Sequence, residues 1–150
     1  MSKNALKKLS IYITGGVLSC IPFFGVYPFG IAFFTAVYME NIARFPIFLV
    51  VLASMIYGVP FLHAARYGIS MLLVIVLTGL MEVNGHVIKK WIGSLVAGTT
   101  VFLMNLSDNL LTASNPSLLL KALAESAFIF SVSIIFMKVL DFFMAEKDKM

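Results

Sequence analysis

From Leu9 to Met39 the chain runs for 31 positions without an Asp, Glu, Lys or Arg, broken only by Pro22 and Pro28. About 20 apolar residues cross the hydrocarbon core of a bilayer as a helix. The run therefore predicts one span, a proline-marked turn and the start of a second span. The same pattern continues to the end of the chain. Six apolar segments can be drawn: Leu9 to Phe24, Pro28 to Met39, Pro46 to Val59, Tyr67 to Met81, Trp91 to Leu106 and Leu118 to Leu140. The sixth alone reaches full spanning length. The second and third hold only 12 and 14 residues, the range of partial or re-entrant segments, and both open on proline. Proline suits the first turn of a helix, where its missing N–H would have had no partner. The stretch from Ser107 to Ser117 is rich in turn formers and reads as a polar loop, with Asn115-Pro116-Ser117 starting the last helix.

Composition strengthens this picture. Hydrophobic residues make up 61% of the 150 positions and charged residues 12%, about half the share usual in soluble domains. The expected architecture is all-α: one polytopic helical bundle over residues 1–150, with about six transmembrane or partly re-entrant helices and the lipid bilayer as its solvent. The net charge of +4 is dispersed in ones and twos, with no stripe to track a phosphate backbone, so nucleic acid is not an expected partner. Its distribution instead predicts topology. With six crossings and the N-terminus inside, nine basic residues (Lys3, Lys7, Lys8, Arg44, Lys89, Lys90, Lys138, Lys147, Lys149) fall on the inner side. Only Arg66 and Lys121 fall outside. Basic residues concentrate on the cytoplasmic side of membrane proteins, so both termini are expected to be cytoplasmic. Making both short segments re-entrant gives four crossings with the same outcome.

Candidate chemistry is sparse. Cys20 is the single cysteine, which excludes an intramolecular disulfide and a cysteine metal site. His63 and His86 read as interfacial residues, and no metal, cofactor or catalytic residue is expected. No Gly-rich phosphate loop, nucleophile elbow or paired-carboxylate arrangement occurs. Glu125 is the conspicuous residue, an acidic group inside the sixth segment with Lys121 four positions earlier on the same helix face. Two readings stay open: an ion pair with Lys121 near the outer interface, or a carboxylate facing the bundle interior or a wet cavity. Gly93 with Ala97, and Ser94 with Gly98, recur at spacing four in the fifth segment. Small residues at that spacing let helices approach closely, so Gly93, Ala97 and Gly98 are expected packing positions.

Pro28-Phe-Gly-Ile-Ala-Phe-Phe-Thr-Ala-Val-Tyr38 is a proline-started helix with aromatic and small residues interleaved. Lying after a first span, within a wider pattern of short second and third spans, a polar loop and Ala122-x-x-Glu-Ser-Ala-Phe128 in the closing helix, it resembles the start of the membrane region of stage II sporulation protein E. The resemblance covers about Leu9 to Phe143. It implies a multi-pass bacterial inner-membrane region that anchors a serine/threonine phosphatase in sporulation, with self-association or other membrane proteins as partners. The phosphatase domain and its metal-binding aspartates have no counterpart here, so the resemblance carries over no catalytic residue. The expected function is a non-enzymatic membrane anchor and assembly module. The alternative is a small substrate-binding membrane subunit of a vitamin-type uptake transporter, which would bind a small-molecule ligand.

Overall fold

A computed structural model describes residues 3–42, 44–83, 89–111 and 116–145. Each apolar segment contains a helix: α1 (Lys3–Ser19), α2 (Pro28–Met39), α3 (Arg44–Gly58), α4 (Phe61–Val83), α5 (Lys90–Leu111) and α6 (Pro116–Ala145). The expected all-helical class is observed, with no strand among the described residues. Consecutive helices run in opposite directions. Lys7 near the start of α1 reaches the carbonyl of Phe143 near the end of α6. Arg44 opens α3 and pairs with Glu82 at the end of α4. Lys90 opens α5 and bridges Glu40, just after α2, to Asp141 of α6.

The helices overrun the segments that hydropathy defines. The fourth begins at Phe61 rather than Tyr67, because the N–H groups of His63 and Ala64 bond the Pro60 carbonyl and the turn propagates through Arg66. The fifth continues to Leu111, so the expected loop from Ser107 is helical for its first five residues. The sixth passes Leu140 to Ala145. A charge or an amide lowers hydropathy without unwinding a backbone whose i→i−4 bonds are intact. The first helix does the reverse and stops at Ser19, short of Phe24. There Phe23 and Val26 pair through two backbone bonds of 2.7 and 3.1 Å. Phe24 and Gly25, at φ 49° and 79°, form the turn between them. Two consecutive positive φ values mark the mirror-image turn that closes tight hairpins. Gly25 takes this conformation freely; Phe24 carries a left-handed cost of about 1–2 kcal/mol.

Helix α2, one of the two segments too short to span unaided, is the centre of the bundle. It touches each of the other five helices, and ten of its 12 residues are buried. A helix that is apolar all round has no polar face to give to water and is stable only when surrounded. Phe34, Ile31, Ile47, Met55, Met71 and Ile129 are among the largest fully enclosed side chains around it. Three buried hydroxyls in this apolar interior bond their own helices: Thr35 to Ile31, Thr78 to Val74 and Ser133 to Ile129. That local bond satisfies a hydroxyl without a second polar group.

Among the described residues, two helices, α4 and α6, are long and apolar enough to cross a membrane. At 1.5 Å per residue the 23 residues of α4 span about 35 Å and the 30 of α6 about 45 Å, against about 18 Å for α2.

Candidate functional site

Glu125 lies on the buried face of α6 and is 8% exposed. Its carboxylate turns away from Lys121 and into the bundle. Tyr67 Oη on α4 donates to Oε1 at 2.5 Å, and Asn105 Nδ2 on α5 donates to Oε2 at 2.7 Å. The same Tyr67 oxygen accepts the backbone N–H of Tyr27 at 3.1 Å. One carboxylate therefore links three helices, and through Tyr67 it also holds the α1–α2 connection. Lys121 is exposed. Of the two readings of Glu125, the interfacial ion pair with Lys121 is not formed among the described residues. The physical reason is geometric: one turn deeper than Lys121, the carboxylate finds two neutral donors inside the bundle, while the flexible lysine stem carries its ammonium outward.

Sequence reasoning missed Tyr67, Asn105 and Ser70. A signal for the α4 residues existed: His63, Tyr67 and Ser70 recur at i, i+4 and i+7, a polar stripe on one face of a largely apolar helix. His63 is half-buried in the first turn of α4, its ring 5.7 Å from Tyr27 and 6.4 Å from Tyr67. It belongs to the helix rather than to a loop. His86 lies outside the described residues. Asn105 gave no periodic signal of its own; what identifies it is Glu125 across the α5–α6 interface.

Glu125 forms part of the wall between two spaces. On its inner side is a small, partly open cavity of about 20 Å³ bordered by His63, Arg66, Tyr67, Ser70 and Asn105. Ser70 Oγ is fully buried there without a hydrogen-bond partner. A space of that size suits one water molecule, and Ser70 with the Glu125 cluster supplies the polar contacts that a buried water needs. On its outer side a groove of about 330 Å³ opens between α6 and the Phe23–Val26 turn.

The expected packing positions fall between these features and the far end of the bundle. Ala97 is fully buried. Gly93 faces α2, where an added Cβ would run into the Met39 side chain. Gly98 faces α6: an added Cβ would lie 3.0 Å from the Ser126 carbonyl oxygen, and Ser126 Oγ donates to the Gly98 carbonyl at 2.8 Å. The small residues of α5 thus admit two different helices of the same chain.

At the opposite end the polar chemistry is ionic. Arg44 makes a two-pronged contact with Glu82 at 2.9 and 3.2 Å and lies over the Tyr38 ring. Lys90 Nζ is 2.6 Å from Glu40 and 2.8 Å from Asp141. The Glu40 side chain is only 8% exposed, and its Oε1 has no partner. Burial therefore raises its pKa above the ordinary carboxylate value, although Lys90 pulls the other way. The two carboxylates in turn raise the Lys90 pKa, with Asp141 the larger contributor.

Among the described residues no three His, Cys, Asp or Glu side chains converge as a metal site would need. What the arrangement does chemically is join helices: a carboxylate accepting two neutral donors at one end, ion pairs at the other. No protein-family model, curated protein or solved structure matches this chain.

Proposed function

We propose that this chain is a multi-pass, non-enzymatic membrane module of the bacterial inner membrane. It anchors and assembles partner proteins, as its resemblance to the membrane region of the sporulation phosphatase implies. The observation that carries the reading is the distribution of polarity. The sides of the bundle expose Leu6, Ile13 and Val17 on α1, Leu72, Val76 and Leu80 on α4, and Leu123, Ile135 and Val139 on α6. Soluble monomers rarely expose contiguous apolar surface beyond a few hundred Å², whereas lipid requires it. The ion pairs of Arg44, Glu82, Lys90, Glu40 and Asp141 gather where α1, α3 and α5 begin, the end that the nine-to-two bias assigns to the cytoplasm.

The test is topological. In a Cys20→Ser background, cysteines at Ser114 and Ala145 should react with an impermeant thiol reagent from opposite sides of intact cells and inverted vesicles. Equal reactivity at both positions from one side defeats the arrangement. Retention of a stoichiometric vitamin through detergent extraction would instead favour uptake.

A further inference from the structure

The groove outside Glu125 has a polarity gradient that follows the axis of α6. Its back wall is Ala124 and Phe128 of α6, and its front wall is Phe23 and Phe24 of the α1–α2 turn. Phe23 and Phe128 stack at 4.5 Å, which closes the deep end with aromatic surface. Phe24, held outward by its positive φ and 86% exposed, forms the lip. Lys121 stands at the end nearest the start of α6, exposed and without a carboxylate partner among the described residues. Glu125 borders the groove but is only 8% exposed, and both its oxygens are engaged by Tyr67 and Asn105.

Depth decides what fits. At 1.5 Å per residue, Phe128 lies about 10 Å farther along α6 than Lys121. Moving inward from the end of the bundle, a ligand meets an ammonium first, then a small alanine surface, then stacked rings. An anionic phospholipid presents its groups in that order: phosphate at the interface, acyl chain beneath it. A free anion would leave the aromatic part empty, and an organic cation would meet Lys121 at the entrance. Lysines near a membrane surface attract anionic headgroups while their stems cover apolar surface.

We infer that this groove is a binding site for one acyl chain of an anionic phospholipid, with the phosphate held by Lys121 and the chain lying between Ala124, Phe128 and the Phe23–Phe24 turn. The site rests on the membrane reading proposed above. It would tie the α1–α2 turn to α6 from outside, as Glu125 and Tyr67 do from within.

The test uses the full chain in bilayers of phosphatidylglycerol and phosphatidylcholine, each lipid spin-labelled on its acyl chain in turn. The immobilised signal should favour phosphatidylglycerol roughly fivefold, the factor that one lysine near an anionic surface supplies. Lys121→Met should abolish that preference and Lys121→Arg should retain it. Ala124→Trp fills the groove and leaves the charge in place, so it should reduce the immobilised fraction of both lipids. An unchanged preference in Lys121→Met, or an unchanged immobilised fraction in Ala124→Trp, overturns the site. So does a change of oligomeric state in Ala124→Trp with lipid unaffected, which would make the groove an interface between copies. Failure of the wild-type chain to float with the vesicles would overturn the membrane reading and the site together. Flotation without any headgroup preference overturns the site alone.

Discussion

The two ends of the bundle use carboxylates in opposite ways. At the end where α1 begins, Arg44, Glu82, Lys90 and Asp141 are all at least one-third exposed, and each charge faces an opposite one. At the other end, Glu125 is buried and accepts hydrogen bonds from a phenol and an amide. Exposed pairs gain little, because water screens the attraction and two long side chains must be ordered. A buried carboxylate has no water to fall back on, so its donors must be supplied by neighbouring helices. The first end should therefore tolerate substitution better than the second. Glu40 sits between the cases, a nearly buried carboxylate sharing Lys90 with an exposed one.

This contrast can be broken by substitution. Glu125→Ala should have the largest effect, since it orphans the Tyr67 hydroxyl and the Asn105 amide at about 1–3 kcal/mol each. Unfolding in mixed micelles should show a clear loss of stability, with α4, α5 and α6 loosening together. A loss no greater than that of a surface variant would show that the carboxylate does not hold the three helices.

At the ionic end, Arg44→Met should cost under about 1 kcal/mol. The wild-type contribution should also shrink as salt is added, because both partners are partly exposed. A cost equal to that of Glu125→Ala would erase the distinction between the ends.

The smallest expected effect is a pH slope. Burial raises the folded-state pKa of Glu40 above its reference value of 4.5. Between that value and the raised one, the folded state binds more protons than the unfolded state. Stability attributable to Glu40 is therefore present at low pH and falls as pH rises through the folded-state pKa. Glu40→Gln should flatten this part of the stability profile, measured as unfolding midpoint against pH; an identical slope in the variant would show that Glu40 does not produce it.

Much of the architecture was legible in the residues. Apolar runs bounded by prolines and charges located six helices, because the length of an apolar run is a local quantity. Proline at the head of α2, and again at α6, marked helix starts for a reason confined to one residue. Helix ends were less legible, since Arg66 lowered hydropathy in a stretch that remained helical, and Ser107 did the same.

The central position of α2 was decided only by tertiary structure. Its 12 residues read as a partial or re-entrant segment, and only the five surrounding helices reveal it as the core. Glu125 was conspicuous from the sequence because an acidic group in an apolar run is costly wherever it points. Its partners were not, for Tyr67 lies 58 and Asn105 20 positions away. Hydropathy and spacing along the chain determine which groups need satisfying; which groups satisfy them depends on helices brought together in space.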